Sequence, residues 1–535
     1  MIAVTSTTGT QGQAVDEPNT GHPRRWLILG VMVVSLLVVV LDNTILNVAL
    51  RVLADPVQGL GASQVELEWS VNSYTLVFAG LLFTFGVLGD RLGRKRLLFI
   101  GLALFGLASL ASAYAQDPGQ LVAARAAMGF GAAAIMPATL SIISNVFDPR
   151  ERARAIGVWA GAIGLGVAIG PITGGFLLEH FWWGSIFLIN VPVVVAGLVA
   201  IIWLVPESRD PHPGRPDLVG MLLSIVGLVA LVYGIIDGGE HGFDRPVAWA
   251  AISGGVAALA AFVAWELRTR DPSLDVRLFR NPRFSTATGV IALTFFAALG
   301  VFFFMTFFLQ LVRGYDPLAA GALLLPFAAA QLIFAPRSAA MVTRYGAKAV
   351  SVVGLTLSAL ALAGWMFVGE NTSIWVVVGL FFVQGVGMAN VMPPAMEAIL
   401  STLPREKAGV GSAVSNTVRQ VGGALGIAVL GAVVMSVYRR EIDPTLAALP
   451  TDEARAGARE SIAGAYDVAG QLGEPGLIPV ANDAFVTAMH TAAGVSALIA
   501  GLAVLVVLRW LPGKARPASP VPAGQPEETE LAEVA

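Results

Sequence analysis

Long apolar stretches separated by short polar ones set the pattern of this chain. A hydrocarbon core about 30 Å thick takes roughly 20 apolar residues of helix to cross. Fourteen runs reach that length: 26–49, 69–89, 97–115, 120–146, 155–178, 184–204, 217–236, 247–267, 285–312, 318–341, 349–368, 374–400, 408–436 and 486–509. Each reads as an α-helix, because a segment in lipid must satisfy its backbone groups internally. Residues 1–23 are polar and lack an apolar core ahead of a cleavage site, so they are expected to be a disordered tail rather than a signal peptide. The Pro- and Glu-rich residues 511–535 are expected to be a second disordered tail.

Composition agrees with this picture. Of 535 residues, 56% are hydrophobic and 13% charged, about half the charge of a typical soluble protein. With no Cys, thiolate metal sites, thiol catalysis and disulfides are excluded, and the 5 His fall in no metal-ligand spacing. A net charge of −3 with no basic domain gives no sign of nucleic-acid binding. The Gly-x-Gly pairs follow no strand and no G-x-x-x-x-G-K-[ST] motif exists, so neither a dinucleotide nor ATP is expected as cofactor.

Charge orients the runs. With the N-terminus in the cytoplasm, the inner loops hold Arg91, Arg94, Lys95 and Arg96, then Arg150, Arg152 and Arg154, then Arg209 and Arg215. They continue with Arg268, Arg270, Arg277, Arg280 and Arg283, then Arg344 and Lys348, then Arg405 and Lys407, whereas short outer loops hold only Arg51, Arg245 and Arg313. This is a positive-inside distribution, which places both termini in the cytoplasm of a multi-pass protein. The long outer segment 437–485 reads as a solvated loop with a possible amphipathic helix over 451–468; an outward lid or hairpin is the alternative.

One pattern recurs. The basic stretch Gly86–Arg96 has a degenerate copy at Met341–Ala349, in which Thr343 replaces Asp90 while Arg344, Gly346 and Lys348 stand for Arg91, Gly93 and Lys95. Downstream, Met128–Pro137 parallels Gln384–Pro393, and Asp148–Arg152 parallels Leu403–Lys407. The fold expected is therefore all-α and integral to the membrane. It has 14 transmembrane helices as two six-helix parallel repeats, residues 24–204 and 284–510, with two inserted helices and a linker at 205–283.

Those motifs give the chain its resemblance to the major facilitator superfamily, and within it to the fourteen-helix drug:proton antiporters. The resemblance runs over about residues 24–510. It is carried by Leu41–Leu50, Gly86–Arg96, Arg125 with Gly129, Gly131 and Pro137, Gly161 through Gly175, Phe187–Pro192 and Arg419–Gly423. It implies a proton-driven exporter of lipophilic small molecules such as antibiotics, working by alternating access as a monomer in the cell membrane, without cofactor or enzymatic step. An exporter of a lipid or self-made metabolite is the alternative reading, and a proton-coupled importer on the same fold the less favoured one.

Candidate residues follow from cost. A carboxylate inside a membrane helix is expensive unless paired, hydrated or protonated, and Asp42 in the first run is such a group; the bland reading is an interfacial Asp near Arg51. Arg125 lies at a matching depth in the fourth run, so the two are expected to form a proton-coupling pair; a snorkelling Arg is the alternative. Gly86, Gly89, Asp90, Arg91, Gly93, Arg94, Lys95 and Arg96 are expected to form an inner latch, as the resemblance implies. Gly161, Gly166, Gly170, Pro171, Gly174 and Gly175 permit close packing of a kinked fifth helix, and the resemblance implies the interface between halves. Asn43, Asn72, Tyr74, Phe304, Phe308, Gln310, Gln384, Asn390, Asn416 and Arg419 are candidates to line a cavity. Where some members of the family it resembles that export cations carry an acid, this chain has the neutral Asn72, and the resemblance thereby weakens a claim for strongly cationic substrates.

Overall fold

A computed structural model of the protein describes residues 22–209, 217–269, 272, 274–403 and 408–511. Both expected tails, apart from 22–23 and 511, and Arg215, Arg270, Arg405 and Lys407 lie outside them. No strand occurs among the described residues. The first bundle comprises α1 (Arg25–Ala54), α2 (Gln64–Leu92), α3 (Arg94–Ala113), α4 (Pro118–Val146), α5 (Pro149–His180), and a broken sixth segment of α6 (Ser185–Leu188) and α7 (Asn190–Leu204). The inserted pair is α8 (Leu218–His241) and α9 (Pro246–Glu266). The second bundle begins with α10 (Pro282–Phe307), which runs into a π-turn at Phe308–Val312, then α11 (Pro317–Ala322), α12 (Leu325–Tyr345) and α13 (Ala347–Gly364). It ends with α14 (Ile374–Ala389), α15 (Met392–Leu400), α16 (Ala408–Leu446), the short α17 (Asp452–Glu460) and α18 (Ile462–Leu472), and α19 (Leu477–Trp510).

Twelve segments among the described residues are long and apolar enough to cross a membrane. Helices α2 and α5, 29 and 32 residues long, occupy the second and fifth expected runs. Several boundaries differ from the apolar count, those of α2, α16 and α19 among them. α2 starts five residues early, at a capping box in which Ser63 accepts from Glu66 N and Glu66 reaches back to Ser63 N at 2.9 Å. α16 continues to Leu446 and α19 begins at Leu477. Segment 437–485 is thus mostly helix and not a solvated loop. Its α17 and α18 form a cap whose Ala458, Ile462 and Ala465 are buried. Tyr438 Oη donates to Ala458 O at 3.1 Å, and Tyr466 Oη to Leu311 O at 3.0 Å and to Asn482 Oδ1 at 2.9 Å.

The two copies of the basic stretch fold alike. Gly93 and Gly346 sit at the α2–α3 and α12–α13 junctions with φ of 112° and 86°, values that disfavour any side chain. Beyond each, a lysine ties its loop to the last helix of its own bundle. Lys95 Nζ donates to Ile202 O at 3.0 Å, and Lys348 Nζ to Leu508 O at 2.6 Å. The end of the molecule carrying these loops is called the basic end below, and the opposite one the far end.

The bundles meet at the far end. Thr306 Oγ1 on α10 donates to Asn47 O on α1 at 2.6 Å, and Gln310 Nε2 to Val48 O at 2.9 Å. A Cβ on Gly175 of α5 would lie 2.5 Å from Leu318 Cα of α11, and one on Gly321 would lie 2.4 Å from Pro171 O. α16 closes on α2, with Gly431 against the Glu68 carboxylate and Ala424 and Ala428 against Leu76. Among the described hydrogen bonds and ion pairs, those joining the two bundles lie at this far end. The inserted α8 packs against both α2 and α16, and α9 against α8, leaving Val247, Trp249, Val256 and Val263 on an outward apolar face.

Candidate functional site

Asp42 lies in the middle of α1 and Arg125 in the half of α4 nearer the far end, and both are buried. Small residues bring their helices together. Gly129, one turn beyond Arg125, rests on the backbone of Tyr74, where a Cβ would come within 2.4 Å of Tyr74 O. That contact seats the Arg125 guanidinium over the Tyr74 ring, 4.4 Å from its centroid, a cation–π arrangement that strengthens out of water. Arg125 Nη1 donates to Asp42 Oδ2, and Nε donates to Ser70 O at 3.0 Å. Asn190, at the start of α7, donates to Asp42 Oδ1 at 3.3 Å and to Ser109 Oγ at 3.0 Å.

The pair is therefore a closed, neutral unit held by groups from α1, α2, α3, α4 and α7. Removing one partner would leave an uncompensated charge away from water, which is strongly unfavourable. The unit is not fully satisfied. Arg125 Nη2 and Tyr74 Oη are buried and without a hydrogen-bond partner. A proton arriving at Asp42 would cancel the charge attraction while leaving Arg125 its bond to Ser70. Asn190 supports the carboxylate and was not singled out from sequence beyond its place in Phe187–Pro192; an Asn amid apolar residues is the signal that was there. Glu68, buried on α2, was missed because the apolar run was counted from 69.

The other candidates are dispersed. Gly166, Gly170 and Gly174 form a stripe on α5 against Val40, Thr44 and Ile45 of α1, and Gly175 and Pro171 meet α11 of the second bundle. The contacts described for the basic loop lie within the first bundle. Lys95 N donates to Glu207 Oε1 at 3.2 Å, Arg96 Nε lies 3.6 Å from Glu207 Oε2, and Arg94 N donates to Ser208 O at 3.0 Å. Gly86 and Gly89 lie on α2 before this loop, and Arg91 is exposed. The side chains of Asp90 and Gly161 lie outside the described part of their helices.

Of the cavity candidates, Phe304 and Phe308 are buried in the core rather than open to a cavity. Gln310 is tied to α1 through its Nε2, and its Oε1 is buried without a partner. Asn43 is half-buried and donates to Val39 O at 3.1 Å. Asn72 is fully buried, with both ends of its amide unpartnered. Gln384 borders a cleft lined also by Phe302, Met305, Trp365 and Phe381, with free volume of about 10 Å³, room for one water and not for a drug. Asn390 stands where α14 breaks into α15. Asn416 and Arg419 are half-buried on α16. Among the described residues no group of three His, Asp or Glu is placed to hold a metal ion.

The family model of the Major Facilitator Superfamily matches residues 32–427. The multidrug efflux pump LfrA of Mycolicibacterium smegmatis is 36% identical over 84% of this chain and 88% of its own length. The tetracenomycin C resistance and export protein of Streptomyces glaucescens is 33% identical over 94% of this chain and 95% of its own. Among solved structures, a bacterial homolog of the human lysosomal transporter Spinster, inward-facing and unoccupied, superposes with a TM-score of 0.66 at 17% identity, covering 93% of this chain and 99% of that one, which shows a shared fold. The chain belongs to the major facilitator superfamily, and it is a membrane transporter rather than an enzyme.

Proposed function

We propose that this member of the superfamily exports lipophilic small molecules, antibiotics among them, in exchange for protons. The observation that carries the coupling is the buried Asp42–Arg125 pair, a titratable carboxylate held by one cation inside a membrane bundle. The exporter reading is supported by the relatives, which are named for multidrug efflux and for antibiotic resistance and export. The basic end is the cytoplasmic face in this reading, both termini lie there, and fourteen spans in two six-helix repeats with an inserted pair cross the cell membrane. The protein acts as a monomer with no cofactor. The far-end contacts then describe a state closed to the outside, into which substrate enters from the cytoplasm or inner leaflet. Protonation of Asp42 from outside loosens Arg125, and substrate and proton leave on opposite sides.

Asp42→Asn tests this. The variant keeps an isosteric partner for Arg125 but cannot carry a proton. It is expected to reach the membrane folded and to lose efflux driven by an imposed pH gradient, measured with a compound whose toxicity the wild type relieves in pump-deficient cells. Full gradient-driven efflux by the variant would remove Asp42 from the mechanism. Proton release from the purified wild type on adding that compound separates antiport from symport. A narrow range, one antibiotic or self-made metabolite, is the second reading, favoured by the relative named for tetracenomycin C alone.

A further inference from the structure

The charges inside the bundles are not balanced alike. Arg125 has Asp42. At the loops, Arg25 has Glu151, Arg96 has Glu207 and Arg459 has Asp443. Arg419, within α16, has no hydrogen bond and no ion pair among the described residues; its guanidinium lies 5.6 Å from the centroid of the Phe295 ring on α10. Glu397 on α15, which packs against α16, forms no ion pair with it. The side chain is half-buried, and none of its nitrogens is among the sealed, unpartnered atoms, so the guanidinium keeps some exposure.

Its place on α16 says which space it faces. From residue 422 outward, α16 is closed against its neighbours, Gly422 and Gly426 on the backbone of Ala292 and Phe296, and Gly423 on Leu299. Ala424, Ala428 and Gly431 close on α2 of the first bundle. Arg419 is five residues nearer the basic end than Ala424, about 7.5 Å at 1.5 Å per residue, on the basic-end side of the residues that close α16 on α2. Asn416 and Gln420, half-buried, are its nearest polar neighbours on α16, while Thr417, about 200° round the helix at 100° per residue, lies on the other side. A cation kept in a membrane protein without a protein counter-ion is costly and marks a site by default. A planar guanidinium presents a fork that matches a carboxylate, and it already lies against an aromatic face.

We propose that Arg419 makes the space between the bundles a site for lipophilic aromatic compounds that carry an acidic group, a carboxylate or phenolate, which becomes the missing counter-ion. This names the substrate class for the exporter reading above and rests on it. Asp42 and Arg125 cancel one another, so Arg419 supplies the net charge that such a compound meets and that a cationic one is repelled by.

The test uses three probes on one ring system: anthracene-9-carboxylate, its neutral methyl ester, and 9-(trimethylammoniomethyl)anthracene. Binding to the purified full-length protein is read by fluorescence with no proton gradient, so failure here is distinguishable from failure of proton-coupled export. The carboxylate is expected to bind at least about tenfold more tightly than the ester, the gain of one charge-assisted hydrogen-bonded pair, with the cation weakest. Arg419→Gln is expected to erase that preference, and Arg419→Lys to keep its sign at reduced size. Equal binding of carboxylate and ester, preference for the cation, or a carboxylate preference that survives Arg419→Gln would each overturn the proposal. Should Arg419→Gln not fold, the three-probe comparison on wild type and Arg419→Lys decides alone. Phosphatidylglycerol added to the micelles separates the two sources of an anion. Displacement of the carboxylate probe would assign the site to a lipid headgroup and overturn the aromatic-acid reading, and its absence supports it.

Discussion

Two glycine contacts, one in each bundle, share a geometry and stand in opposite chemistry. Gly129 of α4 lies on the Tyr74 backbone, and Gly385 of α14 lies in the same way on Phe327, where a Cβ would come within 2.5 Å of Phe327 O. Four residues before Gly129 is Arg125, over Tyr74 and bonded to Asp42. Four residues before Gly385 is Phe381, stacked on Phe302 at 5.9 Å, with Phe302 edge-on to Phe327 at 5.0 Å and Trp365 against Phe381 at 5.1 Å. One scaffold thus carries an ion pair in the first bundle and an aromatic cluster in the second. The backbone contacts are common to both, so they do not depend on the charge. The ion pair is an addition that the fold tolerates, and it can change state when a proton arrives, whereas stacked rings cannot.

The largest effect expected from breaking this contrast is on the ionic side. Arg125→Leu leaves the Asp42 carboxylate buried without its cation and should lower unfolding stability in detergent by about 4 kcal/mol. Asp42→Leu added to it should restore most of that loss while transport stays dead, because the double variant makes the first bundle resemble the second. Denaturant or thermal unfolding of both variants decides; a single variant as stable as wild type would mean the pair is not buried as described. Next, Phe381→Ala should cost about 3 kcal/mol, since it removes the central ring of a packed cluster, and proton release on substrate addition should persist. Smaller again are Gly129→Ala and Gly385→Ala, each about 2 kcal/mol from a methyl group driven into a neighbouring backbone. If the scaffold is truly shared, the two losses should match within error.

The smallest effect probes the one far-end element that the first bundle lacks, the α17–α18 cap. Partial burial pushes the Asp467 carboxyl above the usual carboxylate range, the nearby Asp55 pushes it further up, and Arg51 opposes both. A raised folded-state value means the folded protein holds this proton more firmly than the unfolded chain. The contribution to stability is therefore full in acid and is lost as pH rises through the folded value. Asp467→Asn should flatten that part of the stability–pH curve above the ordinary Asp range near 4, with the sign opposite to that of a salt-bridged acid. Thermal unfolding of both proteins from acid to neutral pH checks it.

What was legible from residues alone was whatever shows as a charge in an apolar run or as an interruption of one. Asp42 and Arg125 could be placed at one depth by counting from helix ends, because each is a lone charge in a uniform helix. The glycine stripe Gly166, Gly170, Gly174 was legible for the same reason. The breaks at Ile189 and between Asn390 and Val391 lie inside runs whose hydropathy stays high, so an apolar count passes over them. Their local signal is Pro192 in the one case and Pro393 and Pro394 in the other, each of which cannot donate to the turn before it. The start of α2 was written in Ser63 and Glu66, but hydropathy counting passes over a capping box and with it over Glu68. The partner of the basic loop, Glu207, is 112 residues from Lys95 and no local pattern points to it. Helix over 451–468 was legible in part, and it forms as α17 and α18. What was not legible is where they dock, because Tyr438 on α16 and the Leu311 carbonyl and Asn482, which Tyr466 of α18 meets, are distant in sequence.

The far-end seam is built largely from main chain: Asn47 and Val48 carbonyls, the backbone at Leu318 and Pro171, and glycines at 175, 321 and 431. A joint of that kind carries little information about the cargo. Side chains nearer the basic end, Arg419 among them, are free to diversify without loosening it. A lineage of proteins built this way can therefore change the residues on its walls by single substitutions while the joint is inherited unchanged.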